Sequence, residues 1–123
     1  GTSTPLSIAI AERGVRNFLI HYGLVAGDVE MPEGGQMYLD MPDASCYVQS
    51  EHTGLLELTY ALGDSIAKGD VIARVYDMTR SGTAPVAYQA ERDGILMARR
   101  APSLINMGDT LAVIADVVER LEA

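Results

Sequence analysis

Apolar positions along this chain recur with two periods, and the change between them divides it. Near the start Ile8, Ala11, Val15, Phe18, Leu19 and Tyr22 return at helical spacing, with Glu12, Arg13, Arg16 and Asn17 on the other side. Thr4 is placed to cap the N-terminus, Pro5 suits the first helical position and Gly23 marks the C-cap. The segment predicts one amphipathic helix whose stripe must pack on something, more often a core than a membrane. Gly14 costs about 1 kcal/mol against Ala inside a helix, which points to a close backbone approach there.

Residues 24–36, LVAGDVEMPEGGQ, have no period and are punctuated by Gly and Pro, so they read as a linker. Beyond them the period shortens. Tyr38 to Met41 and Cys46 to Ser50 read as strands around the turn Pro42-Asp43-Ala44-Ser45. A repeat follows, Gly54 to Val75 and again Gly94 to Ile114, each half an apolar segment, a variable turn, a Gly-Asp turn and a second apolar segment. Val71, Ala73 and Val75 alternate with Ile72, Arg74 and Tyr76, as in a strand with one wet face, whereas Leu111 to Ile114 is apolar throughout. Two such units bury their apolar faces only against each other. The prediction is a mainly β domain with pseudo-twofold repeats, a small sandwich or flattened barrel. Tyr76 to Pro85 forms the loop between the halves, Val86 to Gln89 resumes extended structure, and Asp116 to Ala123 reads as a short terminal turn with helical spacing.

Charge narrows the partners. Lys+Arg number 9 against Asp+Glu 17, a net charge of −8, so no basic stripe exists to displace counterions from nucleic acid. The adjacent pair Arg99-Arg100 reads as a solvated strand or turn rather than a phosphate clamp. The single cysteine excludes an internal disulfide and fits a reducing, cytoplasmic setting. No apolar run is long enough for a membrane span. The chain begins Gly1-Thr2-Ser3, without an initiator Met, as a fragment or processed product would.

Candidate chemistry is sparse. His21, His52 and Cys46 do not fall at a spacing that gives zinc three protein ligands, and Cys46 reads as a small buried hydrophobe. No catalytic residue and no metal ligand is assigned. The repeat resembles the biotinyl/lipoyl-like, or barrel-sandwich hybrid, fold, whose halves meet at a hairpin tip carrying a modifiable lysine. Here that tip falls in Met78-Thr79-Arg80-Ser81-Gly82, and the sole lysine, Lys68, lies in another turn. A guanidinium stays protonated and does not form the required amide, so Arg80 is no substitute.

A wider resemblance covers nearly the whole chain. Gly1 to Glu30, with its Gly-Thr-x-Thr-Pro start and Ala-Glu-Arg-Gly-Val-Arg-Asn helix, resembles the end of the catalytic domain in the succinylglutamate desuccinylase/aspartoacylase family. ARVYDMTRSG and AERDGIL resemble the β-rich domain that follows in its N-acetyl-diaminobutyrate deacetylase branch. The resemblance implies a remnant of a catalytic zinc-hydrolase domain over 1–23, a linker over 24–36 and a β-rich C-terminal domain over 37–123. It implies that two histidines and two glutamates carrying the zinc and the general base lie outside this chain, which holds no cofactor itself. The implied partners are the chain's own missing catalytic domain and, in the parent enzyme, a small N-acylated amino acid; a homo-oligomer is compatible. It also implies a tyrosine near the substrate channel, for which Tyr88 is the candidate, with Tyr76 and Arg80 on the facing loop. The rival reading is a free-standing biotinyl/lipoyl-like interaction module without a carrier lysine.

Overall fold

The computed structural model describes residues 3–32 and 36–121. They separate into two compact units, one holding the helix and the segment after it, the other spanning Met37–Arg120. Residues 33–35 of the expected linker, Gly1 and Thr2, and the last two residues of the expected terminal turn lie outside the described residues.

In the first unit, α1 runs Pro5–His21. The Thr4 hydroxyl accepts from the Ser7 amide at 3.1 Å, and the Ser7 hydroxyl accepts from the Thr4 amide at 2.9 Å, a reciprocal capping box. Tyr22 is the C-cap, one residue earlier than expected, and Gly23 and Leu24 donate to the carbonyls of Ile20 and Leu19 in a Schellman closure. The Asn17 amide clamps Glu30, donating to its carbonyl at 2.7 Å and accepting from its N–H at 2.9 Å. No helix residue is buried, and Ile8, Val15, Phe18 and Tyr22 are all at least half exposed. Nothing lies within 4 Å of where a Gly14 side chain would start, so no close backbone approach explains that glycine.

The second unit is mainly β. Its strands are β1 (Gln36–Asp40), β2 (Tyr47–Gln49, after a 3₁₀ turn at Ala44–Cys46), β3 (Gly54–Leu58), β4 (Ser65–Ile66), β5 (Val71–Tyr76), β6 (Val86–Gln89), β7 (Gly94–Arg99), β8 (Leu104–Ile105) and β9 (Thr110–Leu121). They form two separate antiparallel sheets, one ordered β6-β5-β3-β8 and the other β1-β9-β7-β4, with β2 also paired to β9. The sheets share one core, to which Leu56, Ile72 and Val75 contribute from the first and Leu96, Leu111 and Ile114 from the second.

Register repeats with the sequence. Leu55 faces Tyr76 in the first half as Ile95 faces Ala115 in the second. The short strands are exchanged: β4 of the first half pairs with β7 of the second, Ile66 opposite Gly94, and β8 pairs with β3, Ile105 opposite Gly54. Side chains at Gly54 or Gly94 would run into the carbonyls of Tyr76 or Ala115, which is why each half opens on glycine. The Gly-Asp turns match too. Gly69 and Gly108 hold φ of +94° and +89°, and the Asp70 and Asp109 carboxylates accept from the Ala67 and Asn106 amides at 3.0 and 2.9 Å.

Two expectations need correction. Asp116 to Leu121 does not form a turn but continues β9, because β1 and β-branched Val117-Val118 favour an extended backbone there. The one-wet-face pattern of β5 breaks at its start: Ile72 and Ala73 are both buried, at 1% and 0% exposure, because the pairing with β6 shifts register between Val71 and Ala73.

Candidate functional site

The polar run Ser50-Glu51-His52-Thr53 joins β2 to β3, and the β8–β9 turn holds it. The Ser50 amide donates to the Asp109 carbonyl at 2.9 Å, and the Gly108 amide donates to the Ser50 carbonyl at 2.7 Å. Ser50 is thereby buried, at 3% exposure. Its hydroxyl donates to the His52 carbonyl at 2.6 Å and accepts from the His52 amide at 3.1 Å, folding the run into a tight turn.

Tyr88, on β6, reaches this turn from the other half of the chain. It stands opposite Ala73, on the core side of its sheet, and packs against the core half-buried. Its hydroxyl accepts from the Glu51 amide at 3.0 Å and lies 2.7 Å from His52 Nδ1 and 3.2 Å from Ser50 Oγ. The two rings meet edge to face, with centroids 6.2 Å apart. His52 and Thr53 also line a groove of about 660 Å³, bounded by Leu104 to Asn106 and by the loop residues Asp77, Met78, Thr79, Thr83 and Ala84. That loop is tied down by Asp77, whose carboxylate accepts from the Thr79 amide and hydroxyl, both at 2.7 Å. The Thr79 hydroxyl, then its amide, and then the Arg80 charge hold the Asp77 carboxyl below the usual range.

The other channel candidates lie elsewhere. Val75 and Asp77 line the groove, and Tyr76 between them points to the opposite face of the sheet, as strand alternation requires. There its hydroxyl donates to Glu57 Oε2 at 2.7 Å, and Arg74 Nη1 lies 3.6 Å from the same oxygen. The hydrogen bond to Glu57 is the main cause of the raised Tyr76 phenol pKa. Arg80 is exposed in the β5–β6 loop beside Asp77. The structure thus joins Tyr88 to the groove through His52 and leaves Tyr76 on the far face. Periodicity offers no sign of the His52–Tyr88 contact, which spans 36 residues.

Cys46 is fully buried, at 0% exposure, as a structural thiol. Arg92 Nη1 donates to its sulfur at 3.1 Å and to Ser45 Oγ at 3.3 Å, while Nη2 is ion-paired with Asp116 and Asp43 lies 3.6 Å from Nη1. Hydrogen bonding to Asp116 raises the Arg92 pKa further, so this side chain acts as a permanent cation that holds the 3₁₀ turn before β2 to Asp116 of β9. Among the described residues no group of three or more His, Cys, Asp or Glu side chains is gathered to hold a metal ion. The zinc implied by the family resemblance therefore finds no donor set in them. No helix among them is long and apolar enough to cross a membrane.

Against known proteins the chain is 73% identical, over 98% of its length, to the N-alpha-acetyl-L-2,4-diaminobutyric acid deacetylase of Halomonas elongata. The chain corresponds to a C-terminal portion of a succinylglutamate desuccinylase/aspartoacylase family protein. It spans only 35% of that Halomonas relative. The product-bound structure of the ectoine utilization protein EutE (DoeB) from Ruegeria pomeroyi is 43% identical, with a TM-score of 0.86 over 94% of this chain and 35% of its own. The succinylglutamate desuccinylase/aspartoacylase of Rhodobacter sphaeroides is 27% identical with the same TM-score of 0.86, over 96% of this chain and 37% of its own. No family model matches the chain.

Proposed function

We propose that this chain is the non-catalytic C-terminal domain of a zinc-dependent N-acyl amino acid deacylase, cleaving a C–N amide bond in the cytoplasm. Identity of 73% over nearly all of this chain, but over only 35% of a named deacetylase, carries the reading. The zinc ligands and general base then belong to the remainder of such an enzyme, and α1 is the last element of its catalytic domain. The uncovered face of Ile8, Val15 and Phe18 fits a surface on that domain, or a second copy where the domain is missing. The β unit is a barrel-sandwich hybrid, a reading favoured by the reciprocal exchange of β4 and β8. Its role is to cap the active site, with Tyr88 at the channel, rather than to carry a prosthetic arm.

A deacylase assay on the full-length protein and on this chain, each with and without added Zn²⁺, tests the proposal. Activity restored by zinc is expected in the full protein and absent from the isolated chain. Zinc-dependent hydrolysis by the chain alone would overturn it. In the full enzyme Tyr88→Phe is expected to raise KM or lower kcat several-fold, and unchanged kinetics would remove Tyr88 from the channel.

A further inference from the structure

The turn that carries His52 has a counterpart in the other half of the fold. Val48-Gln49-Ser50-Glu51-His52-Thr53-Gly54 aligns with Tyr88-Gln89-Ala90-Glu91-Arg92-Asp93-Gly94, at the offset that relates Gly54 to Gly94. Both make the same backbone bonds. Ala90 exchanges hydrogen bonds with the Gly69-Asp70 turn at 2.8 and 2.9 Å, as Ser50 does with Gly108-Asp109. Thr53 accepts from the Met107 amide at 3.2 Å, and Asp93 accepts from the Lys68 amide at 2.7 Å. Ala90 and Val48 are buried like Ser50, at 3% and 5% exposure. The turn therefore forms without a hydroxyl at either of the positions that Ser50 and Tyr88 occupy. What that hydroxyl pair adds is a hold on His52, whereas the matching Arg92 is turned to Cys46, Ser45 and Asp116.

The hold fixes the ring. Tyr88 accepts from the Glu51 amide, and its one proton has two acceptors in reach, His52 Nδ1 at 2.7 Å and Ser50 Oγ at 3.2 Å. The first distance is typical of a hydroxyl donor and the second is long for one, so Tyr88 donates to Nδ1 and the uncharged imidazole carries its proton on Nε2. Nε2 makes no hydrogen bond among the described residues, and His52 is exposed and lines the groove. Resting on the reading of this unit as the cap of a deacylase active site, we propose that His52 contacts the substrate. Its Nε2–H donates to the carbonyl oxygen of the N-acyl group, and Tyr88 is its positioning residue. The groove selects that acceptor. Val75, Leu104 and Ile105 give it apolar walls, and Asp77, already bonded to Thr79, is the one charged side chain among its described lining residues. No Lys or Arg is among them to balance a carboxylate, so an uncharged carbonyl on a short aliphatic chain fits.

The test uses the full-length protein and an N-acetylated diamino acid, the substrate class named for the Halomonas relative. His52→Phe keeps a ring without a donor and is expected to lower kcat/KM about 3- to 10-fold, the weight of one neutral hydrogen bond, at an unchanged denaturation midpoint. His52→Gln, which places an N–H near Nε2, should stay within about twofold of the parent, and His52→Asn, which does not reach that far, should lose as much as His52→Phe. The inhibition constant of the free diamino acid, which has no acyl carbonyl, should be the same in all of them. ¹⁵N spectra in mildly alkaline solution should show the His52 proton on Nε2 in the parent and shared between both nitrogens in Tyr88→Phe, with kcat/KM lowered several-fold. Four results would each overturn the proposal while leaving the deacylase reading in place. They are equal kcat/KM in parent and His52→Phe, a His52→Gln no better than His52→Phe, a product inhibition constant that rises in step with KM, and a parent proton on Nδ1. A full-length protein without zinc-dependent deacylase activity removes that reading, and the proposal falls with it.

Discussion

Single residues carry much of what distinguishes this β unit from a generic sandwich. Because a Cβ at Gly54 or Gly94 would meet the backbone carbonyl of Tyr76 or Ala115, Gly54→Ala and Gly94→Ala are each expected to cost about 1–3 kcal/mol in chemical denaturation. The helical Gly14 has open space around it, so Gly14→Ala should stabilise α1 by about 1 kcal/mol, a control within the same chain. Arg92 serves four partners with a side chain only 17% exposed, and Arg92→Met is expected to lower the chemical denaturation midpoint because it removes the cation that joins Asp116 to Ser45 and Cys46. Tyr76 sets an alkaline limit. Its folded pKa is raised above the ordinary value of 10.0, so its contribution is complete below about pH 10 and is lost as pH rises through the folded value. Denaturation midpoints measured between about pH 9 and 11 should therefore fall less in Tyr76→Phe than in the parent. The Gly-Asp turns could be read from the sequence because their chemistry is local. The partners of Arg92 could not, since Asp43 and Asp116 lie far from it along the chain.

At the scale of elements, local signals predicted existence and type well wherever a segment's own neighbours decide its conformation. The Thr4-Pro5-Leu6-Ser7 start holds both halves of a capping box, so α1 begins where the residues direct. The C-terminal segment shows the opposite. Asp116 to Leu121 has helix-compatible spacing, but β1 supplies a pairing partner and the segment extends. The register shift in β5 is likewise a product of pairing with β6 and leaves no trace in the alternation of residues. The apolar face of α1 gives an element-scale prediction: Val15 and Phe18 are 62% and 59% exposed, so the isolated chain is expected to self-associate with rising concentration. Light scattering should show that the double substitution Val15→Ser and Phe18→Ser abolishes the association. A chain that is already monomeric before substitution would mean the face does not attract a second copy.

For the molecule as a whole, the exchange of short strands matters more than any one of them. β4 and β8 are each two residues long and pair across the halves, so neither repeat completes its own sheet. The expected consequence is cooperative unfolding of Met37–Arg120, with one transition by fluorescence and circular dichroism; two separable transitions would show that a half stands alone. The same exchange brings the β8–β9 turn onto Ser50 and so prepares the turn that receives Tyr88.

Periodicity, glycine placement and the duplicated Gly-Asp turns were enough to establish one helix, a mainly β architecture and its internal repeat, since each depends on residues close in sequence. Tyr88 became a residue of interest through the family resemblance, not through these patterns. Only the folded chain decided that Tyr88 and Tyr76 occupy opposite faces, that His52 and Ser50 enclose one phenol and not the other, and that the helix leaves its apolar stripe bare. Those outcomes depend on strand register and on contacts between residues dozens of positions apart, which a linear pattern does not encode.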